Sequence, residues 1–425
     1  MEIQTLADAE RYLEGFLNLE RTRDFDYERL GLARIRALLD ALGRPQEGLA
    51  CVHIAGSKGK GSVALAAESL LLAAGQRVGT YTSPHLESWR ERFRVDGAPV
   101  AEDRLVAVLR ALQPVAERLR QDPDLRPSFF DVSTALALLV FRDAGVDVGV
   151  VEVGLGGWLD STNVIQPRVS VLTSVQLEHT DKLGSTLEQI ALEKAGILRP
   201  GVPLVHGPLP PEALAAVMAR AIAENTPVEE VCAGNVELSE QGLQMRLGNG
   251  QEVSASVFGA HQATNLALAA RAVEYFLGRS LGSDELKQLG SLRLPARIER
   301  FGDVILDCSH SPDSARALRE TLLAIWPERA WVLVVSISRD KDAAGVLHEL
   351  APPTRAALIT RAEPLRSEDP EALAPLAWAA GIEQVETCSQ PGEALKRARR
   401  WLAPGELLVL TGSVYLAGAV RASLT

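Results

Sequence analysis

The 425-residue chain has no apolar run approaching the roughly 18 residues that a membrane-crossing helix needs. Its opening segment, MEIQTLADAERYLEGF, is acidic and amphipathic and lacks the basic start and apolar stretch of an export signal, so a cytoplasmic protein is expected. Cysteine is scarce. Cys51, Cys232, Cys308 and Cys388 are far apart and form no C-x-x-C pair, and they read as reduced, buried thiols rather than a disulfide framework. Positive charge is in deficit, with 44 Lys and Arg against 55 Asp and Glu and a net charge of −11. So acidic a surface excludes broad binding to nucleic acid or to an anionic membrane, while leaving room for a local basic pocket. Biased tracts and internal repeats are also missing. The expected partners are therefore small molecules, and the expected state is a monomer.

What is present is the composition of a globular protein, 47% hydrophobic and 23% charged, in a chain longer than one core usually organises. Strand-like runs (CVHIA, RVGTYT, VGVVEV, VSVLTSV, VPLVH) alternate with periodic Ala/Leu-rich stretches such as 132–142 and 187–196, the pattern of a mostly parallel sheet covered by helices. Residues 234–258 interrupt it and read as a β-hairpin about Gly-Asn-Gly at 248–250. Helices are expected near 260–277 and 283–290. From residue 303 a second alternation begins: VILDCSH, WVLVVSIS, AALIT, IEQVET and LLVLTGS, with helices near 312–325, 342–350, 370–380 and 391–402. The fold class expected is α/β: a phosphate-loop-type, mostly parallel sheet domain with a hairpin insertion over residues 1–294, and a smaller Rossmann-like α/β domain over 295–425, joined near Pro295.

The segment CVHIAGSKGKGS, 51–62, runs an apolar strand into a turn containing Gly56, Gly59, Lys60, Gly61 and Ser62, and then into a helix-like stretch. Glycines let backbone N–H groups face inward, the helix start adds a positive dipole end, and Lys60 adds a mobile charge, which together suit the phosphates of ATP or GTP. Only two residues separate Gly56 from Gly59 where four are usual, and Gly61 fills the hydroxyl position after the lysine, so the loop is a special subtype. The plain alternative is an ordinary strand-to-helix turn. Glu152 ends another apolar strand ahead of VGLGG, where a nucleoside triphosphatase holds Mg²⁺; its alternative is a strand-end charge reaching solvent. His179 follows the next strand beside Glu178 and Asp181. Lys194, in EKAG, reads from chemistry alone as a solvated helix lysine. In the second half, Asp307 and His310 follow a strand and Arg297 precedes it, a second ligand-ready edge whose alternative is a turn capped by Asp and Ser. Two such edges suggest a site between domains.

GSKGKGS, YTSPHL with ERFRVDG, SFFDVSTALA, EVGLGGWLDSTNV, LEHTDKLG with EKAGI, GAHQATNLA, PARIE, LDCSHSP and TGSVYLAGAVR occur in the order seen in folylpolyglutamate and dihydrofolate synthases of the Mur ligase superfamily, which the chain resembles over nearly its whole length. The resemblance implies an ATP-dependent amide ligase in which a folate or dihydropteroate carboxylate attacks the γ-phosphate and the amine of L-glutamate displaces phosphate from the acyl phosphate. It implies that Gly59, Lys60, Gly61 and Ser62 hold the triphosphate, that Ser83, Glu152 and His179 carry Mg²⁺, and that Lys194 is carbamylated to serve a second metal. It also implies that Asn265, Arg297 and Asp307 contact the nucleotide. Ser128, Phe129, Phe130 and Asp131, with Leu159, Asp160 and Ser161, match stretches lining the pteroate pocket, and His310 sits where the second domain faces the active site. Three positions depart from the family's pattern: Trp158 where Arg is common, Glu178 for Asp, and Ser311 for Asn. A peptidoglycan-precursor ligase would carry a further domain ahead of the phosphate loop, for which 55 residues are too few. A phosphate-loop kinase or ATP-binding switch would have no use for a second polar-edged unit.

Overall fold

Residues 2–18 and 31–424 are described by the computed structural model. The apolar runs of the first half become an eight-stranded sheet: β1 (Ala50–Ala55), β2 (Val78–Tyr81), β3 (Phe93–Val95), β4 (Ala98–Pro99), β5 (Val148–Glu152), β6 (Pro167–Leu172), β7 (Leu204–His206) and β8 (Val228–Glu230). Their spatial order is β4-β3-β2-β5-β1-β6-β7-β8. From β2 to β8 the pairs are all parallel. Burial on both faces explains why these strands are continuously apolar rather than alternating: all five residues of β5 are buried. The antiparallel β3 and β4 extend one edge; at three and two residues they are too short to leave a periodic signal.

The helices follow their start and stop chemistry. Ser128 and Asp131 form a reciprocal capping box for the helix Phe129–Ala144, and Gly145, at φ +61°, ends it. Ser311 and Ser314 cap Pro312–Ile325 in the same way, with Pro312 at the first helical position.

The second sheet contains β12 (Glu299–Phe301), β13 (Val304–Leu306), β14 (Trp331–Val335), β15 (Thr354–Thr360), β16 (Gln384–Cys388) and β17 (Leu407–Thr411), after an intervening three-stranded sheet of β9 (Gly234–Ser239), β10 (Gly242–Arg246) and β11 (Glu252–Ala255). Its order is β12-β13-β17-β14-β15-β16, parallel except for the short β12. The Gly-Asn-Gly turn does join two strands, but Glu240 and Gln241 make a further turn, so three strands stand where one hairpin was expected. The α/β class with a mostly parallel first sheet and a second, smaller α/β sheet is as expected. Two compact units result: Met1–Gly234, Arg246–Val253 and Thr264–Gly290 in one, and Asn235–Met245, Ser254–Ala263 and Ser291–Thr425 in the other. The sequence reading cut the chain once, at 294/295.

The cysteines correct one expectation. All four are free and Cys51 and Cys308 are buried, but Cys388 is half-buried and Cys232 exposed. Cys232 follows β8, the last strand of its sheet, where no neighbouring strand covers the chain.

Candidate functional site

Four neighbouring parallel strands, β2, β5, β1 and β6, deliver Ser83, Glu152, the Gly56–Ser62 turn and the segment leading to Glu178 from their carboxyl ends. Ligands bind open α/β sheets at that edge, and here the order of crossovers reverses about β1. The turn is held by β6. Thr173 donates its N–H to Ala55 O at 3.0 Å, Ser57 N donates to Ser174 O at 2.9 Å, and Lys58 N donates to Ser174 Oγ at 3.0 Å. Glycine is required twice. A Cβ on Gly56 (φ +148°) would lie 1.9 Å from Thr173 Oγ1, and one on Gly59 (φ +87°) would lie 2.4 Å from Asn265 Oδ1. Asn265, 8% exposed, is thereby set against the turn.

Gly59 is also the N-cap of the helix Lys60–Ala73, and it offers no side-chain cap. The helix start therefore keeps its positive end available to an anion. Lys60 Nζ donates to Gly56 O at 2.9 Å, which keeps its charge over the turn. Glu152 is buried, accepts the Ser83 N–H at 3.0 Å through Oε2, and places that oxygen 3.7 Å from where a Cβ on Gly61 would stand.

Lys194 is not a solvated helix lysine. It is buried, and its Nζ lies 3.0 Å from Glu178 Oε1. Burial pushes its amine down to about 8, Glu178 pulls the other way, and the nearby charges of Lys60 and Lys58 push it further down. Burial raises the Glu178 carboxyl, but Lys194, Lys60 and Lys58 together bring it down to about 2. Three lysines thus surround one carboxylate beside the phosphate turn. His179 is exposed, with φ +47°. Among the described residues no three His, Cys, Asp or Glu side chains converge as a metal cage. A Mg²⁺ that keeps waters and substrate phosphate oxygens needs only one or two protein carboxylates, and the buried Glu152, held by the Ser83 N–H at this edge, is a carboxylate of that kind.

The pteroate-pocket candidates form a buried network. Asp131 Oδ2 accepts the Ser128 N–H and hydroxyl, both at 2.8 Å, Asp131 Oδ1 accepts the Ser161 hydroxyl at 2.7 Å, and Arg34 Nε lies 3.7 Å from Asp131. Phe129 lies under the Arg92 guanidinium at 5.3 Å, and Phe130 packs on Tyr81 at 5.8 Å. Asp160 ties down the loop after Glu152: its carboxylate accepts N–H groups from Gly154, Leu155 and Thr162 at 3.1, 2.9 and 3.0 Å, and burial pushes its carboxyl up to about 6. The Thr162 hydroxyl donates to Asp160 at 2.5 Å and so accepts, at 2.9 Å, from His53 Nε2. Leu159 is half-buried. Trp158 is exposed, with the Arg220 guanidinium 4.6 Å above its ring.

In the second unit, Asp307 accepts the Ile298 N–H at 2.9 Å and the Ser309 N–H at 2.7 Å, the capping arrangement of the plain alternative. His310 Nδ1 donates to Cys308 O at 2.9 Å. Arg297 lies between Ala296 and Ile298, both with φ near +50° (51° and 52°), and its guanidinium meets Cys308 Sγ and Ala296 O. Positive φ is costly for the β-branched Ile298, and Asp307 and Glu299 hold the flanking N–H groups that impose it. Sequence reasoning missed Lys58, Thr173, Ser174 and His53. Their signal was present: a polar Thr-Ser pair closing β6, and a histidine inside an apolar strand.

A phosphate turn with this surround, followed by a second α/β unit in which residues 296–414 match the family model described as "Mur ligase, glutamate ligase domain", defines a ligase of the Mur superfamily. The chain is 34% identical over 436 aligned residues to the dihydrofolate synthase/folylpolyglutamate synthase of Mycobacterium tuberculosis, covering 92% of this chain and 89% of that one. It is 33% identical to the folylpolyglutamate synthase of Lacticaseibacillus casei, covering 97% of each. The solved structure of the M. tuberculosis folylpolyglutamate synthase, complexed with ADP and AMPPCP, superposes with a TM-score of 0.90 at 34% identity over 99% of this chain and 98% of that one. The chain belongs to the folylpolyglutamate synthase/dihydrofolate synthase family. No helix among the described residues is long and apolar enough to cross a membrane.

Proposed function

We propose that this chain uses ATP to join L-glutamate to a pteroate or folate carboxylate, and that it accepts both dihydropteroate and reduced folates. The observation carrying the reading is the meeting of the glycine turn, Lys60 and Glu152 at one sheet edge. Moving the γ-phosphoryl group to a carboxylate brings anionic oxygens together, so the site has to offset repulsion and align attack. Lys60 and the uncapped helix start bind the phosphates, and Asn265 braces the turn that presents them. Ser83, Glu152 and His179 would hold a Mg²⁺, which would supply further charge neutralisation and a template for the phosphates. Lys194, with its lowered amine pKa, is suited to be captured by CO₂ as a carbamate. The half-buried Phe130 offers a ring face to the acceptor, and Asp160 fixes the loop beside it. Attack by the glutamate amine on the acyl phosphate forms the amide and releases phosphate.

The test is incubation of the protein with ATP, Mg²⁺ and glutamate plus dihydropteroate, a reduced folate or a UDP-sugar peptide, with products weighed by mass spectrometry. Glutamate adducts of the first two, and none of the third, are expected. Turnover of only one pterin acceptor at saturating ATP and glutamate overturns the dual specificity.

A further inference from the structure

The first unit contains a cavity of about 690 Å³ that none of the phosphate-turn residues, Glu152 or Lys194 lines; of the pteroate-pocket candidates only Leu159 reaches it. Its size is that of a small-molecule site. Four arginines and three carboxylates face it, and their pairing is uneven. Arg44 is matched by Asp40 at 2.7 Å and Glu47 at 3.2 Å, and Arg220 by Glu224 at 2.5 Å. Arg199 reaches only neutral oxygens: the carbonyls of Gly196, Leu198 and Asn163 at 3.2, 2.9 and 2.9 Å, and Asn163 Oδ1 at 2.6 Å. Arg36 is exposed; its backbone N–H donates to Leu32 O at 3.0 Å, while its guanidinium makes no hydrogen bond or ion pair to any described residue. Burial lowers the pKa of Arg199; Glu224 pulls against that, and Arg36 and Arg220 add to it as like charges. Two guanidinium charges in this pocket therefore lack a carboxylate bonded to them among the described residues.

An aromatic platform stands beside them. Trp158 is 44% exposed, and its ring carries Arg220 on one face. We propose that this pocket is a second, non-catalytic binding site for a planar aromatic ring carrying two carboxylates, with the ring against Trp158 and the carboxylates on Arg36 and Arg199. Guanidinium groups match carboxylates, and an indole under a guanidinium stacks readily on a further ring. Asp40, Glu47 and Glu224 disfavour a compact, highly charged phosphate group here and tolerate two carboxylates spaced along a molecule. The pocket is joined to the catalytic segment: Trp158 N donates to Glu193 O at 3.0 Å, and a Cβ on Gly196 would lie 2.4 Å from Trp158 Cα. Occupancy therefore bears on the helix Leu187–Lys194 without contact with the phosphate turn.

The probe is p-aminobenzoyl-L-glutamate, titrated calorimetrically into the full chain, with p-aminobenzoate (one carboxylate) and γ-glutamylglutamate (no ring) as comparisons. Saturable binding is expected for the probe and weaker binding for both comparisons. Arg36→Ala and Trp158→Ala, each a change at an exposed side chain, are expected to weaken the probe by about tenfold. Lys60→Ala is expected to bind it as the wild type does. Absence of wild-type binding at millimolar probe, unchanged affinity in both pocket variants, or loss of binding in Lys60→Ala overturns the site. Product formation by the wild type is read separately by mass spectrometry, so failure of the pocket and failure of the ligase reading are distinguishable.

Discussion

His53 gives a prediction whose size follows from the structure. It lies inside β1, fully buried, between the strands that end at Glu152 and Leu172. Its Nε2 donates to the Thr162 hydroxyl, and its Nδ1 has no hydrogen-bond partner among the described residues. Burial, with the charge of Arg199 adding to it, pushes the imidazole down from 6.5 to about 3. Between those values the unfolded chain holds a proton that the folded chain does not, so stability is full above pH 6.5 and falls as pH drops toward 3. From pH 7 to pH 5 the loss is about 2 kcal/mol. Asp160 acts in the opposite direction, because burial raises its carboxyl to about 6 and the folded chain then takes up the extra proton. His53→Gln keeps a donor to Thr162 without a titrating ring, so the difference between the two proteins isolates the imidazole. Urea unfolding of both at pH 7, 6 and 5 is expected to show the wild type losing about 2 kcal/mol more than the variant. Parallel pH dependences in the two proteins refute the argument.

Lys60→Ala and Glu152→Gln should each lower ADP formation about 10²-fold or more with far-ultraviolet circular dichroism unchanged, since both residues act on phosphate charge rather than packing; near-normal rates in either remove the site. Gly59→Ala forces a Cβ to 2.4 Å from Asn265 Oδ1 at a positive φ, so a loss of about 1–3 kcal/mol in stability is expected together with lost ATP turnover, and an unchanged melting temperature contradicts it. In the native protein a maleimide should modify Cys232, which is exposed, and spare Cys51, whose thiol burial pushes up to about 12; peptide mapping that finds Cys51 labelled first overturns the packing about β1.

What was legible in the sequence follows from which interactions are local. The helix 260–277 and the helix 312–325 are as expected because periodicity, Pro312 at the helix start and the Ser311 cap all lie within a few residues of one another. The antiparallel β3, β4 and β12 were invisible because two or three residues carry no period, and their existence depends on a sheet edge already being present. The site divides in the same way. Gly56, Gly59 and Lys60 announce themselves by spacing, but why Gly59 is glycine depends on Asn265, 206 positions away in the chain and set against the turn only by the fold. Lys194 shows the limit most plainly. Its own segment, LEQIALEK, describes an ordinary exposed helix end, and the sequence around it holds no reason to bury an amine. Burial follows from Glu178, delivered from the end of another strand at 3.0 Å, and from the two lysines of the phosphate turn. A charged side chain is affordable in such a place only when its partner arrives with it, so the unusual chemistry of Lys194 belongs to the pairing of β1 with β6 and to neither segment alone.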